Sequence, residues 1–147
     1  MKEEYQKEIA DHFENFPEAR SFCYHYELLC HAVDDLVDVG VTKEAVLDSF
    51  SLAIDVYSCK FYRDNVSWIY PLCKNLHRVW SASIAWEHSD VAWKAQYADV
   101  LRCCGGEMTM GILEHHCRLP QSDLRRIDAM MREAAWETHH DKEGRPI

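Results

Sequence analysis

Turn-forming residues are scarce in this chain, and that scarcity limits its fold more than any other feature: five glycines and four prolines serve 147 residues. An all-β fold turns back on itself roughly every ten residues, mostly at Gly, Pro, Asn or Asp. The few breakers here leave long uninterrupted segments, and no alternating apolar run long enough for a sheet lies between them. The expected fold is therefore all-α. The length suits one helical domain over 1–147 with one sizeable core, and the five Trp, seven Tyr and five Phe exclude a disordered chain.

Caps and breakers place a charged first helix over 2–15 and a second over 17–40, opened by Pro17 and stopped by Gly40. Thr42 caps a third over 43–64, in which Val46, Phe50, Ala53, Ile54, Tyr57 and Phe61 recur at the spacing of one buried face. A fourth covers 65–88 with a kink near Pro71, and Ser89 or Asp90 caps a fifth. Gly105-Gly106 either ends the fifth helix or bends it ahead of 108–117. The last helix covers 123–139 and leaves 140–147 as a polar tail. The result is a bundle of six or seven helices.

Sixteen Lys and Arg stand against 25 Asp and Glu, a net charge of −9. A surface of that sign repels polyanions, so nucleic acid is not an expected partner. No 18-residue apolar run exists, and the charged start MKEEYQKEIADHF lacks a signal-peptide core; the expectation is a soluble, cytoplasmic protein without membrane contact. Seven cysteines lack any C-x-x-C pair and sit mostly among apolar neighbours, which reads as reduced core thiols.

Chemistry-bearing residues cluster on the second helix. At 100° per residue, Glu27, His31, Asp34, Asp35 and Asp38 share a narrow sector of an otherwise apolar helix. Three of these carboxylates crowd the C-terminal end, where the helix dipole disfavours anions, so a cation is expected beside them. Hard oxygen ligands at this density suit Mg²⁺ shared with substrate phosphates. A row of Asp on a helix is more often a solvated face. On the fifth helix, Asp99, Cys103 and Glu107 fall at i, i+4 and i+8 if the helix runs through the glycines, with Arg102 placed to reach an anion.

Asp34-Asp35-Leu36-Val37-Asp38 resembles the DDxxD motif of the class I isoprenoid (terpenoid) synthase superfamily, and Asp99, Cys103 and Glu107 resemble that superfamily's second metal motif, (N/D)DxxSxxxE. Cys103 stands where Ser or Thr is usual, and Val100 where an acidic residue is usual. The resemblance implies an isoprenoid-synthase-like bundle with Mg²⁺ on Asp34, Asp35, Asp38, Asp99 and Glu107. It further implies that Arg102 contacts the diphosphate of a small molecule, and His31, Glu27 and Cys103 are the other candidate ligand-binding residues. Tyr57, Phe61, Trp80, Trp86, Trp93 and Tyr97 are the candidates for an aromatic cavity that shields a cation, although each is also an ordinary core residue. Whether a bond is broken there is left open; an active site of this kind would be a Mg²⁺-dependent isoprenyl diphosphate lyase or transferase.

Two other classes fit the same residues. A compact non-catalytic accessory protein, such as phages carry, would use the acidic stripe to bind a host partner or sequester a phosphorylated ligand. An all-α nucleotide pyrophosphohydrolase also holds Mg²⁺ on acidic helices, but on an ExxE motif with its second motif closer in sequence. Either leaves room for a homodimer. Zinc on His115, His116, Cys117, His139 and His140 is disfavoured, because adjacent histidines point about 100° apart on a helix.

Overall fold

The computed structural model describes residues 2–140 and Arg145. It contains eight helices and no strand among the described residues: α1 Lys2–His12, α2 Pro17–Asp38, α3 Lys43–Ser58, α4 Lys60–Asp64, α5 Val66–Glu87, α6 Ala92–Leu101, α7 Cys104–His115 and α8 Gln121–His139. None of them is long and apolar enough to cross a membrane. Pro17 opens α2, Thr42 Oγ1 accepts from Ala45 N at 3.1 Å to cap α3, and Gly40 ends α2 at φ +133°, a conformation glycine favours.

The count exceeds the expected six or seven because the third segment is split. Cys59 turns to extended backbone, and its sulfur accepts from Tyr62 N at 3.4 Å, so a cysteine caps α4 where no Gly or Pro marks a break. A second break falls at Arg102-Cys103, before the glycines, so Gly105-Gly106 neither end nor bend α6 but lie in the first turn of α7. Ser89 accepts from Val91 N in the turn before α6 and does not cap the helix itself. Pro71 lies within α5, which continues past it to Glu87.

The centre of the bundle is α7. It packs against α2, α5 and α8 and buries Cys104, Met108, Thr109, Met110, Ile112 and Leu113. Three glycines make that crowding possible, each facing a different neighbour. A Cβ at Gly105 would sit 3.1 Å from Glu27 Cγ on α2, one at Gly106 would overlap Met131 Sδ on α8, and one at Gly111 would overlap Leu72 Cδ2 on α5. At Gly105 the neighbour is backbone as well as side chain, since an added Cβ would be 3.5 Å from the Glu27 Cα.

All seven cysteines are free thiols, and burial, the main cause, pushes Cys23, Cys30 and Cys104 up to about 12. Three of the four histidines considered for zinc are ring partners. His115 stacks on Trp68, His116 meets Phe16 and Phe61 edge-on, and His140 stacks on Trp136 at 3.5 Å. His140 is buried, so the expected tail does not begin there; residues 141–144, 146 and 147 lie outside the described residues.

Candidate functional site

The acidic stripe of α2 does find a cation, and it comes from the protein. Arg102, in the link between α6 and α7, donates from Nη2 to Asp34 Oδ1 at 2.9 Å and lies 3.4 Å from Asp38 Oδ2. Its Nη1 donates to Glu87 Oε1 at the end of α5, and Trp80 Nε1 donates to Asp34 Oδ1 at 3.2 Å. Burial alone would lower the guanidinium pKa, but the hydrogen bond to Glu87 and the charges of Asp34, Glu87 and Asp38 outweigh it and hold Arg102 above its ordinary value. The arginine is thus a permanent charge that ties the ends of α2 and α5 to the α6–α7 break. Arg102 Nε and Glu87 Oε2 have no hydrogen-bond partner among the described residues.

The remaining predicted site residues are dispersed. Asp35 is exposed, and its backbone carbonyl closes the helix by accepting from Val39 N and Gly40 N. Glu27 and His31 pair with each other at 3.7 Å on an exposed face of α2. Asp99 lies 3.4 Å from His140, and Glu107 accepts from Arg132 at 2.6 Å. Cys103 is half-buried beside Gly106. Because the helix breaks at Arg102-Cys103, Asp99 and Glu107 do not share one helical face. Asp34 and Asp38 share Arg102, whereas Asp99 and Glu107 meet His140 and Arg132, and no group of three or more His, Cys, Asp or Glu among the described residues is arranged to hold a metal ion. The aromatic residues do not line one cavity either: Phe61 is core, Trp80 bonds Asp34, and Tyr57, Trp93 and Tyr97 are exposed. A cleft of 390 Å³ opens elsewhere, between Pro17, Ser21 and His25 of α2 and Asp55, Val56 and Lys60. The hollow beside Asp99, Cys103 and Arg132 measures about 10 Å³, too small for a diphosphate.

The feature that sequence reasoning missed is on α3. Of the face expected to be buried, Phe61 is core and Ala53 is partly covered, but Val46, Phe50, Ile54 and Tyr57 are turned outward, and with the neighbouring Leu47 they are 42–66% exposed. The helix instead sets Ser49 and Val56 against the bundle, chiefly α2, with Leu52 and Ala53 partly covered. At 100° per residue the outward apolar row occupies a sector of about 100°, and Glu44, Asp48 and Asp55 form a second row along its Leu47 side, separated by Ser51 and Ser58. The signal was available in the sequence. A helix apolar over most of its circumference needs two covers, and the described chain supplies one. Val39 and Val41, in the link entering α3, are 84% and 74% exposed and add to the uncovered apolar surface near its start.

Comparison with known proteins gave no match: no family model, no curated protein and no solved structure resembles the chain.

Proposed function

We propose that the protein is a non-catalytic binding module that engages a partner protein through the outward face of α3. The observation that carries this reading is the row Val46, Leu47, Phe50, Ile54 and Tyr57, a three-turn apolar surface left open on a helix that is already packed on its other side. Contiguous apolar patches of this kind mark interaction sites on soluble domains. Glu87, Asp34 and Asp38 are occupied by Arg102, which supports a structural use of the acidic stripe. The reading is tested by replacing Phe50 and Ile54 together by serine. The expected outcome is a stability within about 0.5 kcal/mol of the parent and a thermal midpoint nearly unchanged, with lower binding of an apolar dye. A loss of several degrees would mean the row is packed and would sink the reading.

A second reading keeps a diphosphate-bearing ligand and Mg²⁺ in an isoprenoid-synthase-like bundle. What favours it is that Asp34 and Asp38 lie together within reach of one guanidinium and are about one-third exposed, so solvent and a small ligand can reach them. Binding there requires Arg102 to leave Asp34 and Asp38. A thermal-shift titration checks it with Mg²⁺, inorganic pyrophosphate, farnesyl diphosphate and a deoxynucleoside triphosphate, singly and combined. This reading expects a rise that needs metal and diphosphate together and disappears in Asp34→Ala. A rise with the triphosphate, followed by pyrophosphate release, would point to the pyrophosphohydrolase class instead. No rise in any combination leaves the binding module alone.

A further inference from the structure

Building on the proposed docking role of α3, we infer that its occupant is an amphipathic helix of another protein whose apolar row is bordered by Lys or Arg. The outward apolar row runs from Val46 to Tyr57, about 17 Å along the axis, which matches three turns of a partner helix with anchors at i, i+4, i+7 and i+11.

Charge selects the partner. Glu44, Asp48 and Asp55 lie within a sector of about 40° along one side of the row. None of the three is in an ion pair among the described residues, whereas Asp34, Glu107 and Glu8 each meet an arginine. Lys43 lies at the start of the row, and Lys60, beyond its end, is held by Asp64 at 2.5 Å. The flank is therefore a line of carboxylates without an ion pair among the described residues, Asp55 sharing a cleft with Lys60 and His25, on a protein of net charge −9. A basic border on the incoming helix offsets it and fixes which way the helix lies. A second copy of this chain fits less well: in an antiparallel two-fold pairing of α3 with α3, like flanks meet, and the three carboxylates would face their own images.

The test uses the full chain and two synthetic helical peptides of about 18 residues, with leucines at i, i+3, i+4 and i+7. One peptide carries Lys beside the leucines and the other Glu. Binding is read by fluorescence anisotropy at two salt concentrations. The Lys peptide is expected to bind at least tenfold more tightly than the Glu peptide, with Phe50→Ser/Ile54→Ser weakening it tenfold or more. Asp48→Lys/Asp55→Lys should weaken it similarly, while the equal charge change Glu133→Lys/Glu137→Lys on exposed positions of α8 should not. Equal loss from both charge reversals would show attraction to net charge alone and overturn the inference. Tighter binding of the Glu peptide that Phe50→Ser/Ile54→Ser abolishes would overturn the basic partner and keep the docking face. If neither peptide binds, a dimer in sedimentation that Phe50→Ser/Ile54→Ser dissociates names a second copy as the occupant. A monomer would overturn the docking reading as well.

Discussion

Arg102→Ala is expected to destabilise the protein by about 2 kcal/mol, a fall in thermal midpoint of about 4–8 °C. Removing the guanidinium leaves Asp34, Asp38 and Glu87 close together with no cation between them. Stripping one partner from a fully buried ion pair costs more, about 3–5 kcal/mol, but Asp34 and Asp38 are about one-third exposed and solvent screens part of the repulsion. Two companion variants separate repulsion from lost packing. Adding Glu87→Gln to Arg102→Ala should restore about half of the loss, because one of the three negative charges disappears. Arg102→Lys should fall between parent and Arg102→Ala, since an ammonium cannot reproduce the fork that reaches two elements at once. Asp35→Ala, which removes an exposed carboxylate with no ion pair among the described residues, should stay within about 0.5 kcal/mol. These differences are measured by denaturant unfolding. An Arg102→Ala midpoint equal to the parent's would mean that the cluster is effectively solvated and that Arg102 does not tie α2 to α5.

Phe13→Ala should cost about 3–5 kcal/mol. Phe13 is 1% exposed and belongs to the same buried cluster as Leu124 and Ile127 of α8. The helix before it, α1, buries no residue of its own, although Tyr5 and Ile9 rest against the core and Glu8 meets Arg126 at 2.5 Å. One aromatic ring in the turn after α1 is therefore the main anchor of that helix. In the variant, amide exchange across α1 should rise far more than across α7, whose buried residues lie at the centre of the bundle. Phe13→Leu, which keeps most of the volume, should cost about 1 kcal/mol. A Phe13→Ala loss below that figure would mean that the core does not reach the first turn.

Most of the helices could be read from local chemistry because caps and breakers act within a few residues. Pro17, Thr42 and Gly40 set the ends of α2 and α3 through backbone conformations and hydrogen bonds that need no distant partner. The break at Cys59 was not readable in that way, since a sulfur cap on Tyr62 leaves no Gly or Pro signature. The candidate site shows the same division. Crowded carboxylates at the end of α2 demanded a cation, and that demand followed from the helix dipole and Coulomb repulsion alone. The fold brings Arg102 to them from 64 and 68 positions away along the chain, a pairing that no local pattern marks.

The sequence by itself determined the all-α class, most helix boundaries and the need to neutralise Asp34 and Asp38. Only the tertiary structure decided which cation answers that need, which helix lies at the centre, and which half of α3 faces the bundle. Propensity, capping and periodicity are properties of neighbours in sequence, whereas the covering of a face and the pairing of a charge depend on which distant segments meet. On α3 the periodic pattern marked one apolar face for burial, but the helix packs chiefly on α2 with Ser49 and Val56 buried, and Phe50 and Ile54 of the marked face stay open.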